Sequence, residues 1–228
     1  MKLAFLGTGS AFSLERYNSG LVVDGHLLLD AGAPLLPHMR RLGIDPGGID
    51  VLFLTHHHGD HLLGLPPFLL HRAFVDPRPL TVVGPPATEE VVDRLCSIAW
   101  GADWPGMRSE LSLDFQIAAA RSTAAGIPYQ SSRLRHGTSG GTGYRLHVDG
   151  RTLAYSGDSE ATAELERLVE GANVAVVEAT GPGHPKDHTS WEEAVALEAR
   201  HPSTRFIFTH LYSGELEGAA ADFQVLDV

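Results

Sequence analysis

The sequence predicts an α+β chain built as two mixed β-sheets packed face to face, with helices on their outer sides. Three observations predict it. Short apolar runs, each closed by Gly or a polar residue, recur along the 228 residues and read as buried strands. Two Asp-Gly pairs, Asp24-Gly25 and Asp149-Gly150, link such runs into hairpins, because a two-residue turn needs the positive φ angles that this dipeptide tolerates. Segments of helical spacing fall between the strands, where covering helices would lie.

In chain order, residues 2–6 are a strand ended by the turn Gly7-Thr8-Gly9-Ser10. Residues 21–23 and 27–29 form the first hairpin, which closes on Asp30. A short helix is expected over 34–42, with Pro34 in its first turn and Gly43 past its end. Residues 51–54 are a buried strand that runs straight into His56-His57-His58-Gly59-Asp60-His61. Residues 62–70 read as a short helix interrupted by Pro66 and Pro67, and 80–83 as a strand. Thr88 is expected to cap a helix over 89–96, and 100–107 to be a loop packed on the core.

The second half repeats parts of the first. Leu134-Arg135-His136 ends a strand much as Phe5-Leu6-Gly7 does, and residues 144–148 and 152–155 flank the second Asp-Gly pair and lead to Asp158. Residues 174–177 are a buried strand, and 160–169 and 191–200 are helices with Ser159 and Ser190 as caps. Arg205-Phe206-Ile207-Phe208-Thr209-His210 echoes Val51-Leu52-Phe53-Leu54-Thr55-His56. This is a weak internal duplication, of halves near 1–100 and 130–228 within a single domain, and it implies that His210 approaches the same point as His56.

The totals narrow the function. A net charge of −11 argues against a surface that binds nucleic acid by broad attraction. Cys96 is the only cysteine, so an intrachain disulfide and cysteine-rich zinc binding are excluded. The apolar run at 3–6 is too short for a signal-peptide core and no run approaches a membrane span, so no membrane partner is expected and a cytoplasmic location is the default.

The chemistry is concentrated in residues 56–61. His56 and His58 sit two apart, so extended backbone aims both imidazoles to one side, while Asp60 and His61 follow the flexible Gly59 and can face another point. One strand-end loop therefore offers two pairs of ligands for divalent cations. This HxHxDH loop resembles that of the metallo-β-lactamase-fold hydrolases, whose sites usually hold two metal ions in a four-layer αββα fold. The resemblance implies a later strand-end histidine, an aspartate after a hairpin, and a histidine after a late strand; His136, Asp158 and His210 fill those places in that order. By the family pattern His56, His58 and His136 would hold one metal and Asp60, His61 and His210 the other. Asp158 would bridge them beside a shared hydroxide, and Asp30 would support the loop. Zinc is the expected metal, with manganese or iron as alternatives for the same ligands.

Val176-Val177-Glu178-Ala179-Thr180 and His188-Thr189-Ser190 are similar to motifs of the ribonuclease Z family, with Thr189 and Ser190 in swapped order. The resemblance makes His188 the candidate general acid and Glu178 its orienter, with Asp60 the third residue assigned to catalysis. Nothing between His61 and His136 looks like the basic, Gly-rich arm with which that family grips transfer RNA, and Glu15-Arg16-Tyr17-Asn18 only faintly echoes its early loop. The reading is a dinuclear metal-dependent phosphodiesterase for a small nucleotide-type or cyclic phosphodiester, with large RNA disfavoured. Arg133, Arg135 and Arg145 are candidates for a phosphate-facing patch or for solvated strand faces. The alternatives are a ribonuclease-Z-like endonuclease, an ester, thioester or lactam hydrolase, and a non-catalytic metal-binding interaction module. An intact Glu178 and His188 pair beside the metals would favour phosphodiesters, whereas an apolar groove there would favour the esters. A homodimer that completes the pocket is left open.

Overall fold

The structure, a computed structural model, describes residues 1–183 and 185–228. The first sheet is built from β1 (Lys2–Gly7), β2 (Gly20–Val23), β3 (Leu27–Leu29), β4 (Val51–Phe53), β5 (Leu80–Gly84) and β6 (Leu113–Ile117). The second contains β7 (Ser122–Ala124), β8 (Ile127–Leu134), β9 (Gly141–Val148), β10 (Arg151–Tyr155), β11 (Val174–Glu178) and β12 (Arg205–Thr209). A last strand, β13 (Val225–Asp227), returns to the free edge of β1, giving the orders β13-β1-β2-β3-β4-β5-β6 and β12-β11-β10-β9-β8-β7. Both sheets are mixed. In each, an antiparallel hairpin (β2-β3, β9-β10) is followed by parallel neighbours, β4 and β5 in one and β11 and β12 in the other.

The strands alternate, but both faces are apolar, because each sheet is covered on both sides. Leu3, Phe5, Val51 and Phe53 of the first sheet meet Tyr129, Tyr144, Leu146 and Val176 of the second in the central layer. Phe53 packs edge-on to Tyr129 with ring centroids 5.4 Å apart and tilted to Tyr144 at 5.1 Å. The opposite face of the first sheet, with Ala4, Leu6, Leu28 and Leu52, is covered by α1 (Leu35–Leu42), α3 (Leu65–Phe74), α4 (Thr88–Trp100) and α5 (Trp104–Ser109). A one-turn helix, α2 (Gly59–Leu62), precedes α3. On the second sheet's outer face α6 (Ala163–Val169) and α7 (Trp191–Arg200) pack on Leu134, Ala175, Val177 and Phe208. The result is the expected αββα arrangement. No helix among the described residues is long and apolar enough to cross a membrane.

Several local expectations are corrected. The first hairpin has a three-residue loop, since Val23 pairs with Leu27, whereas the second closes on Asp149-Gly150 alone with Val148 opposite Arg151. Pro66 and Pro67 do not interrupt a helix; they occupy the first turn of α3, where no intrahelical N–H is needed. Thr88 lies inside α4 behind Ala87, its hydroxyl donating to the Pro85 carbonyl. Residues 101–109 are helical, with Trp104 buried against the core. α6 begins four residues after Ser159, behind Thr162, and the Ser159 N–H is held by the Glu178 carboxylate. Ser190 does cap α7, in a reciprocal box with Glu193.

Candidate metal centre

The loop after β4 is held from below by Asp30. Its backbone is left-handed (φ 56°) and its side chain is fully buried, which places both carboxylate oxygens under the loop. Oδ1 accepts from the Thr55 N–H at 2.9 Å, and Oδ2 accepts from the Tyr155 hydroxyl at 2.9 Å and faces His61 Nδ1 at 2.8 Å. Two glycines let other segments pack closely on the loop here. A β-carbon at Gly32 would collide with the Asp60 carbonyl, and one at Gly157, whose φ is +56°, would lie 2.5 Å from the Thr55 Cβ.

Above Asp30 the seven residues expected as ligands converge. His56, His58, His136 and Asp158 form one group, and Asp60, His61, Asp158 and His210 another, the donor atoms of each lying within 4.8 Å of one another. Asp158 belongs to both because its two oxygens face opposite ways. Oδ2 lies 3.7 Å from His56 Nε2 and 3.8 Å from His136 Nε2, while Oδ1 lies 3.1 Å from His61 Nε2 and 3.2 Å from His210 Nε2. Asp60 Oδ2 is 3.2 Å from His210 Nε2 and 3.5 Å from His61 Nε2. His57 turns away to the Thr88 hydroxyl at 2.9 Å.

Each of the five histidines has its outer nitrogen occupied. His56 Nδ1 meets Thr55 Oγ1 at 3.0 Å, His58 Nε2 meets Ser139 Oγ at 3.1 Å, and His136 Nδ1 meets the Asp187 carbonyl at 2.8 Å. His61 Nδ1 is on Asp30, and His210 Nδ1 is 3.2 Å from Thr180 Oγ1. When the outer N–H donates to these oxygens, the inner nitrogen presents a lone pair to the centre. Three buried inner atoms, His56 Nε2, His61 Nε2 and Asp158 Oδ1, have no hydrogen-bond partner among the described residues. Orphaned buried polar atoms are costly, and cations held by the two groups would satisfy all three. The donor set therefore fits two divalent ions.

The electrostatics agree. Burial opposes charge on His61, yet the Asp158 and Asp30 carboxylates outweigh it and hold the pKa well above the ordinary value. His210, likewise opposed by burial, is raised to about 10 by Asp158, Asp60 and Glu178. His56 goes the other way, to about 2, through burial and repulsion from His61. Burial would raise Asp158 as well, but His210 and His61 pull it well below the carboxylate range. Without metal this pocket concentrates positive charge on protons at His61 and His210, which a cation would replace.

Glu178 and His188 complete the site. Glu178 is fully buried at the end of β11; its Oε1 accepts from the Ser159 N–H, and its Oε2 accepts from Thr180 Oγ1 at 2.6 Å and lies 3.0 Å from His188 Nδ1. Burial opposes the His188 charge but the Glu178 contact raises its pKa. Asp158, Glu178, His188 and His210 form a third group of converging donors, with His188 Nδ1 committed to Glu178. The sequence marks Thr180, whose hydroxyl links Glu178 to His210, only as the last residue of the motif around Glu178 and assigns it no role, and Ser139, which holds His58, is a small polar loop residue with no spacing signal of its own. The site opens into a cavity of about 1160 Å³ lined by His58, Asp60, His188, Phe12, Lys186 and Tyr212 among others.

Two face-to-face sheets with this His and Asp cluster at their edge define a metal-dependent hydrolase. The chain belongs to the β-lactamase superfamily: the model of the beta-lactamase superfamily domain matches residues 26–211. It is 26% identical to ribonuclease BN of Erwinia tasmaniensis, across 93% of this chain and 90% of that protein. That alignment runs over 274 residues, more than the 228 of this chain, so the relative carries internal segments that this chain lacks. Among solved structures, the short form of human tRNase Z superposes with a TM-score of 0.78 at 21% identity, covering 100% of this chain and 99% of that one. A diphosphatase of the PhnP family superposes at 0.75 and 18% identity, covering 100% and 97%. The structural likenesses are of fold, and the ribonuclease relative matches along nearly the whole chain.

Proposed function

We propose that this hydrolase is a phosphodiesterase of small nucleotide-type or cyclic phosphodiesters. The observation that carries the reading is the Glu178 and His188 pair, 3.0 Å apart at the edge of the His and Asp cluster. In this reading His56, His58 and His136 hold one divalent ion, Asp60, His61 and His210 the second, and Asp158 both. Such ions supply Lewis acidity, activating a water nucleophile and stabilising charge on the phosphoryl oxygens.

The chain's own residues do the rest. Glu178, itself fixed by Ser159 and Thr180, holds the Nδ1–H of His188 and so fixes the ring's tautomer and tilt. The His188 Nε2–H is then the proton given to the departing oxygen, and the raised pKa keeps it available near neutrality. Asp60 Oδ2, 3.2 Å from His210 Nε2, would join that nitrogen in holding the second ion. A proton donor suits an alkoxide leaving group and is of little use to a good one.

A second reading, an RNA endonuclease, is supported by the names of the relatives. The small substrate is favoured by the charge of −11 and by the internal segments of the ribonuclease relative that this chain lacks. The test presents metal-loaded protein with bis-p-nitrophenyl phosphate, a cyclic dinucleotide, a precursor transfer RNA and a thioester. Faster turnover of the small diesters is expected. Faster endonucleolytic cutting of the RNA supports the second reading, and cleavage of the thioester alone defeats both.

A further inference from the structure

A second cavity, of about 660 Å³, lies on the other flank of the metal loop. It meets the first at His58 and Ser139, which line both. The His58 to Ser139 hydrogen bond forms a low bar between them, and both residues are exposed, so an extended molecule can cross it.

The chemistry of the two cavities differs. The first carries the carboxylates of Asp60, Asp158 and Asp187, whereas no Asp or Glu is among the described residues that line the second. The second has instead one full cation, Arg133, with the hydroxyls of Ser131 and Thr142 around it. In a protein of net charge −11 this is an unusual local balance.

The placement is built into the sheet. Ser131 and Arg133 are two apart on β8 and share a face, and Thr142 of β9 stands opposite Arg133 in the ladder. The guanidinium lies alongside Gly140, its Nε 3.7 Å from where a β-carbon would be. Among the described residues Arg133 has neither an acceptor nor a carboxylate partner. Its neighbours are committed: Arg135 pairs with Glu160 at 3.0 Å, and Arg145 donates to the Leu168 and Glu170 carbonyls. Of the three arginines that the sequence offers as a phosphate patch, only Arg133 is left to serve one.

We propose that the second cavity receives a phosphate carried on the substrate arm remote from His188, with Arg133 as its counter-ion and the Thr142 hydroxyl as a further donor, the Ser131 hydroxyl being committed to the Ala119 carbonyl. The substrate is then a phosphodiester with at least one additional phosphate, such as a terminally phosphorylated dinucleotide. This rests on the phosphodiesterase reading and extends it.

The test measures kcat/KM of the metal-loaded protein for a thymidine dinucleotide with a terminal phosphate at the 5′ or 3′ end, relative to the same dinucleotide without it. The wild type is expected to prefer one phosphorylated form. Arg133→Ala should lower that preference about ten-fold, the scale of one charge-assisted hydrogen bond, and Arg133→Lys should recover part of it. Arg135→Ala should leave the preference intact. No preference in the wild type, or one that Arg133→Ala does not change, overturns the proposal. If the protein cleaves no diester, the phosphodiesterase reading fails instead. Calorimetric titration with thymidine 3′,5′-bisphosphate then decides the subsite: binding that weakens about ten-fold in Arg133→Ala keeps it, and binding indifferent to Arg133 removes it. Arg133-dependent binding of inorganic phosphate with an unaltered dinucleotide preference would make this a site for the free anion, and would also overturn the substrate arm.

Discussion

Replacing Asp30 by Asn changes one oxygen of a fully buried side chain into an amide, and its effect follows from the four groups that face it. Asp30 accepts from the Thr55 N–H, the Thr55 hydroxyl, the Tyr155 hydroxyl and His61 Nδ1. An Asn can keep the Thr55 N–H on its carbonyl, but its NH2 then points at Tyr155 and His61, where donors meet a donor. His61 must take the other tautomer, with its proton on Nε2, the atom that faces Asp158 at 3.1 Å. Two charge-assisted hydrogen bonds are lost, at about 1.5 to 3 kcal/mol each before relaxation. Metal affinity should fall about 10- to 100-fold, as when the outer partner of a ligating histidine is removed. Denaturant unfolding of the metal-free protein and competitive titration of metal against a chelator read the two effects separately. If Asp30→Asn unfolds within about 0.5 kcal/mol of the wild type and binds metal within two-fold of it, the reasoning that Asp30 fixes the loop is wrong.

Further perturbations have equally defined outcomes. His188→Ala should slow diesters with alkoxide leaving groups by about 10²- to 10⁴-fold and bis-p-nitrophenyl phosphate far less, read as a steeper dependence of log kcat on leaving-group pKa. Gly157→Ala places a methyl group against Thr55 at positive φ and should destabilise the fold by about 2 to 4 kcal/mol in a urea melt, lowering metal content with it. Arg72 is a fully buried cation that donates to the carbonyls of Pro46, Gly47, Ile49, Arg78 and Pro79, so Arg72→Met should cost about 3 to 5 kcal/mol and leave the chemistry of the surviving folded protein unaltered. The Cys96 thiol is pushed up to about 12 by burial, with Asp93 adding to the effect, and should react with a disulfide reagent at pH 8 only as fast as the protein unfolds.

The candidate metal residues of the loop are legible because a strand end imposes strict geometry: side chains two apart on extended backbone share a side, and the loop must turn at once. The later candidates His136, Asp158 and His210 come through resemblance, since each alone is an ordinary strand-end residue. The echo between the strands before His56 and His210 goes with the placement of the two histidines on opposite oxygens of Asp158. Sheet order adds a refinement, for β12 stands one strand further from its hairpin than β4 does. Helix ends were less legible. Thr88 has the right side chain for a cap but Pro85 and His57 claim it first, whereas Ser159 lies four residues ahead of α6 with its backbone N–H on Glu178. Arg72 could not be read at all, because its five acceptors are backbone carbonyls brought together only by the fold. The ties that hold the early loop are similar: Asp222 accepts from the Thr8 and Tyr17 N–H groups, more than two hundred residues away along the chain.

The central claim, a two-ion centre bridged by Asp158 that hydrolyses phosphodiesters, is tested most directly by metal content and bis-p-nitrophenyl phosphate turnover on the same samples of wild type and Asp158→Ala. The account predicts two ions per chain with turnover in the wild type, and at most one ion with turnover at background in the variant. A variant that keeps both ions and its turnover would contradict it. So would a wild type that holds two ions and leaves the diester untouched while cleaving a thioester.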